Sequence, residues 1–165
     1  MATSLFFWEA AAAKFPATAA PAAVFTAGTN FVWVSLAFAG STADESCYFI
    51  GVMPDTYSAA GNITWRLYYL PATGCSEGDK VRWDIGIVGR VDDETFDAAM
   101  SDTASVTDTI SAGVEADLHI AEVNDTAPTL APGDLIVVKV TRDQDHGDDD
   151  MAEDALFVGL QLLEA

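Results

Sequence analysis

Apolar and polar residues alternate along most of this chain, with a period of two. Ile63, Trp65, Leu67 and Tyr69 share one face of residues 63–69, while Thr64, Arg66 and Tyr68 share the other, the pattern of a β-strand buried on one side. Residues 80–88 repeat it, with Val81, Trp83, Ile85 and Ile87 inward and Lys80, Arg82 and Asp84 outward. Residues 31–39 place Val32, Val34, Leu36 and Phe38 opposite Trp33, and residues 47–53 form another apolar run, closed by Pro54-Asp55. Toward the C-terminus, Ile136, Val138 and Val140 align in residues 134–141. Leu156, Val158, Leu160 and Leu162 align in residues 155–163. Residues 106–110 and 117–123 are weaker strands. About seven or eight short strands separated by turns predict an all-β, antiparallel sandwich, and strand-helix-strand alternation is missing.

Two segments break the pattern. Residues 1–29 hold Ala- and Pro-rich sequence without periodicity, including Phe15-Pro-Ala-Thr-Ala-Ala-Pro, which favours an extended N-terminal arm ahead of a domain spanning 30–165. Phe6, Phe7, Trp8, Phe15 and Phe25 are large apolar groups that such an arm cannot bury by itself. They are the candidate partner-binding residues, to be covered either by a neighbouring chain or by the arm's own domain as an edge strand. Residues 92–100, acidic at their N-terminal end, predict one short helix.

Composition narrows the function. The 165 residues suit one domain. Acidic residues number 26 against 7 basic ones, a net charge of -19, and this balance repels nucleic acids and anionic membranes. No run approaches the ~20 apolar residues of a membrane-spanning helix, and residues 1–4 lack the basic start of a signal peptide. Cys47 and Cys75 make no disulfide framework.

Catalytic patterns are missing: no nucleophile elbow, phosphate loop, His-Glu-x-x-His or cysteine-histidine metal motif is present. The expectation is a protein that is not an enzyme and needs no cofactor. The one weak metal candidate is the acidic loop of Asp143, Asp145, Asp148, Asp149 and Asp150, whose oxygens suit Ca²⁺. Its Gly147 falls one place early for an EF-hand, so the plainer expectation is a solvated hairpin kept apart by like charges. Trp33, Tyr57 and Tyr68 are the candidates for a carbohydrate-binding alternative.

The string Gly-Asp-Leu-Ile-Val-Val-Lys-Val-Thr-Arg-Asp ending at Asp143, then the Asp-rich loop, then Ala-Leu-Phe-Val-Gly-Leu-Gln-Leu-Leu ending at Leu163, resembles the C-terminal half of small jelly-roll structural proteins of tailed viruses. Residues 48–54, 63–70 and 78–89 resemble earlier parts of that pattern, so the resemblance covers residues 30–165. It implies a jelly-roll sandwich acting as a capsid decoration or cement protein, bound as a homotrimer to the major capsid protein on the virion exterior. Head fibres and tail-associated receptor- or carbohydrate-binding modules are the alternative. The resemblance does not extend to the arm.

Overall fold

The computed structural model describes residues 2–40, 43–58, 62–100, 102–111, 117–126 and 129–164. Among these residues, ten strands form two antiparallel sheets. The strands are β1 (Thr3–Glu9), β2 (Ala22–Ala27), β3 (Val32–Phe38), β4 (Glu45–Val52), β5 (Ile63–Pro71), β6 (Lys80–Arg90), β7 (Asp102–Thr109), β8 (His119–Asp125), β9 (Leu135–Arg142) and β10 (Ala155–Glu164). One sheet runs β2-β3-β10-β5-β8, with β1 also paired to β10, and the other runs β4-β9-β6-β7. From β3 onward the chain alternates between sheets except at the β6–β7 hairpin. The neighbour orders β3-β10-β5-β8 and β4-β9-β6-β7 are those of a jelly roll. The expected sandwich is therefore present.

The alternating apolar positions fill the space between the sheets. Ile63, Trp65, Leu67 and Tyr69 face Val81, Trp83 and Ile85, all without solvent exposure. Trp83 sits within an aromatic cluster, its ring centroid 5.2 Å from Phe38, 5.5 Å from Tyr69 and 6.1 Å from Phe157. Phe157 leads on to Phe49 and Trp8, each step 6.0 Å. Burying such rings with edge contacts supplies most of the driving force in a fold with almost no helix.

Two expectations change. Leu156 and Val158 do not join Leu160 and Leu162 on one face, because the β10–β5 pairing shifts register between Phe157 and Gly159. The bulge puts Ala155 and Phe157 inward before it and Leu160 and Leu162 inward after it. Residues 92–100 form turns and bends and not a helix. Asp93 adopts a positive φ of 64°, and the segment is too short to bury an apolar helical face. The helical structure described is instead a 3-10 turn at Ala10–Ala12.

The segment expected as an extended arm, covered by a neighbouring chain or by its own domain as an edge strand, is woven into the sandwich. Strand β1 pairs with β10 from Thr3↔Glu164 to Glu9↔Gly159, and β2 pairs with β3 from Ala22↔Ala37 to Ala27↔Val32. The boundary expected at 29/30 falls in the turn of that hairpin. Between β1 and β2, Lys14 exchanges backbone hydrogen bonds with Tyr48 at 2.8 and 2.9 Å, and Ser46 N–H donates to the Ala19 carbonyl at 2.9 Å. The segment thus starts in one sheet, borders the other at β4, and returns. Trp8 Nε1 donates to the Ile50 carbonyl on β4 at 3.1 Å, a further link between the sheets. Room for this lacing is cut into β10: a Cβ at Gly159 would lie 2.7 Å from the Phe7 ring and 2.9 Å from the Trp8 carbonyl. Deleting residues 1–14 removes buried Trp8 and Ala10 and uncovers β10 and β4 together. The truncated protein is expected to unfold at clearly lower urea concentration than the full chain, by tryptophan fluorescence, and an unchanged midpoint would show the segment to be dispensable.

Candidate functional site

The residues nominated from sequence do not converge. Trp8 is buried, and Phe6 is half-buried and stacks on it with centroids 4.6 Å apart. Phe7 lies on the outer face of the sheet, edge-on to Tyr68 at 5.8 Å. Phe15 and Phe25 are exposed, Phe25 to 78%. Phe6 and Trp8 are thus committed within the fold, because the notch at Gly159 and the β10 ladder hold their strand there. Of the candidates for sugar stacking, Tyr57 is buried and Tyr68 donates its hydroxyl to Gln161 at 2.8 Å. Trp33 packs against Phe31 at 5.3 Å. His119 lies against the Tyr69 ring on β8, whereas His146 is in the 143–154 loop beside Asp148. No disulfide joins Cys47 and Cys75, and burial pushes the Cys47 thiol far above its ordinary range.

The acidic loop was expected to be too charged to bury, yet it is anchored around a cation that sequence reasoning had not singled out. The side chains of Arg142 and Asp149 are each 1% exposed. Arg142 Nε and Nη2 donate to the two Asp149 oxygens at 2.9 and 2.8 Å. Arg142 Nη1 donates to the carbonyls of Phe38 at 3.1 Å and Glu153 at 2.8 Å, and Nη2 also donates to that of Met151. Every N–H of the guanidinium is therefore used. Asp149 additionally accepts from Arg82 N–H at 2.9 Å, and Asp150 accepts from Lys80 N–H at 2.6 Å. These bonds occupy both oxygens of Asp149 and one of Asp150. Asp145 and Asp148 stay exposed. Among the described residues no group of three or more His, Cys, Asp or Glu is arranged to hold a metal.

Two exposed surfaces stand out among the described residues. The first is the β2–β3 hairpin. From Phe15 to Ala43 the sequence has no charged residue, in a chain where 20% of residues are charged. Strand β2 is the end of its sheet, so one side of its backbone is unpaired. Phe25 and Val32 lie on the hairpin's inward face but beyond the sandwich, exposed to 78% and 69%, and Phe31 in the turn is 69% exposed.

The second is a groove of about 460 Å³ on the outer face of the β4-β9-β6-β7 sheet. Its floor is set by register: Ile50, Val137 and Val88 lie abreast, and Tyr48, Lys139 and Gly86 form the next row. Phe96, Ala98 and Met100 line it from residues 91–100 and Lys14 from the strand edge. The period-two pattern placed Val137 and Lys139 on one face of their strand, and the register set Tyr48 beside them. Only the register brought Lys14 and Phe96 to them.

No family model matches this chain, and no curated protein matches it. Among solved structures it is similar to the mannan-recognising carbohydrate-binding module TmCBM27, with a TM-score of 0.46 and 12% identity, over 96% of this chain and 88% of that one.

Two variants probe the loop. Asp149→Asn leaves a buried guanidinium without its counter-charge and is expected to cost about 3–5 kcal/mol in urea unfolding. A loss below ~1 kcal/mol, the level of an exposed pair, would mean the pair is solvated. Burial, and then the charges of Asp84 and Asp44, raise the Asp143 carboxyl above its ordinary value of 3.8. The folded protein therefore holds this proton where the unfolded chain has released it. That contribution favours the fold at acid pH and is lost as pH rises through the raised value. Asp143→Asn is expected to be more stable than the parent at neutral pH, with the difference shrinking toward and below the ordinary value of 3.8. A pH-independent difference in melting temperature would exclude this linkage.

Proposed function

We propose that this protein is a structural module of a virus particle, a decoration protein that binds the outside of the major capsid protein lattice and reinforces the head. The observation that carries this reading is the uncharged β2–β3 edge on an otherwise acidic body. A net charge of -19 keeps copies and polyanions apart. The hairpin offers the opposite surface: an open strand edge with no charge to desolvate, beside exposed Phe25, Phe31 and Val32. Such an edge adds a neighbour's strand by main-chain hydrogen bonds while the aromatic side chains bury apolar area. The contact does not come from a flexible arm, since the arm is built into the sandwich.

A lattice suits this arrangement. One module makes a modest contact, but a homotrimer presents several hairpins to a repeating surface at high effective concentration. Binding the assembled coat and not its dissociated subunits then shifts the equilibrium toward the intact shell. Neither nucleic acid nor membrane has a part in this, as the surface charge opposes both.

Phe25→Ser combined with Phe31→Ser is the informative variant, because both side chains already face solvent. Its melting temperature is expected to match the parent's, while its affinity for parent virus particles lacking the protein falls at least about tenfold, the equivalent of ~1.4 kcal/mol. Undiminished co-sedimentation with those particles would remove the hairpin as the contact.

A further inference from the structure

The groove on the β4-β9-β6-β7 sheet stands apart from the hairpin and from the lattice contact proposed above. Its charge is unusual for this chain. The chain has 7 basic residues, and all four arginines pair with carboxylates: Arg66 with Glu122, Arg82 with Asp84, Arg90 with Glu94, and Arg142 with Asp149. Of the three lysines, Lys14 and Lys139 both line this groove. Lys139 is also engaged within the fold, whereas Lys14 is exposed and its backbone is held by the bonds to Tyr48.

Between the lysines and residues 91–100 the walls are apolar and aromatic, with Tyr48, Ile50, Val88 and Phe96. A volume of about 460 Å³ falls in the range of small-molecule sites, roughly 300–1,000 Å³. We propose that this groove binds an acidic saccharide, a pyranose ring carrying a carboxylate, at one or a few sugar units. The C–H face of the ring packs on Tyr48 and Phe96. The carboxylate takes the Lys14 ammonium, with Lys139 adding to the local positive potential, and Asp97 at the rim accepts from ring hydroxyls. A polymer charged at every unit is excluded, since the net charge of -19 repels an extended polyanion. A single carboxylate is governed by the nearest charges, because more distant ones are screened beyond about 8 Å at physiological salt.

The experiment titrates the full-length protein by isothermal calorimetry with sialyllactose, with a glucuronate-terminated trisaccharide, and with neutral lactose. The two acidic ligands separate the possible sources of the carboxylated ring. At least one is expected to saturate with a dissociation constant below about 10 mM, and lactose to bind at least about tenfold more weakly. Lys14→Ala is expected to abolish the preference for the acidic ligand while leaving the melting temperature unchanged, and Tyr48→Ser to weaken acidic and neutral ligands together. Equal binding of acidic and neutral sugars, no saturation by any of the three, or an acidic preference that survives Lys14→Ala would each overturn the proposal. None of these outcomes bears on the hairpin, which the groove variants leave intact.

Discussion

A single buried ion pair determines how the two halves of this sandwich meet. Arg142 ends β9 in one sheet, and its guanidinium reaches the carbonyl of Phe38 at the end of β3 in the other. Asp149, Met151 and Glu153 close around the same group from the loop that leads to β10. Taking a guanidinium out of water costs several kcal/mol, and the cost is recovered only when all its donors are met in good geometry. Here they are. The loop must therefore take the one path that delivers a carboxylate and two carbonyls to that point, and this sets where β10 begins.

Strand β10 is in turn the strand on which the larger sheet is assembled. It pairs with β5 along its length on one side, while β3 and β1 share its other side in succession. The bulge at Phe157 to Gly159 lies where that second edge passes from β3 to β1. It rotates the strand enough for Phe157 and Leu160 both to face inward. The N-terminal segment then closes one side of the sandwich by touching β10, β4 and β3 in turn. What reads as a tail acts as a lace between the sheets.

The surface divides by charge in a way that follows the same construction. Acidic side chains cover loops and outer strand faces, where like charges repel. The neutral stretch coincides with the edge strand β2 and its hairpin partner, the place where a jelly roll offers unpaired backbone. The four arginines pair with carboxylates, whereas two of the three lysines, Lys14 and Lys139, line the sheet groove. The two open surfaces thus differ chemically, one apolar and neutral, the other aromatic and cationic.

Much of this was legible in the residues alone. Alternation at a period of two is a local property of each strand, so Trp65, Trp83 and Ile136 could be assigned to a core without knowing what lay opposite. The sandwich class and the strands from residue 31 onward follow from the sequence for the same reason. The tertiary structure alone decided what depends on partners distant in the chain. It made the segment before residue 30 a pair of strands, because Gly159 and the β10 ladder receive it. It turned an acidic loop into the shell of Arg142, and it let a bulge reverse the facing of Leu156 and Val158. It also brought Lys14, Tyr48, Phe96 and Lys139 to one groove. Contacts across gaps of tens of residues are set by register and packing, and no local periodicity carries that information.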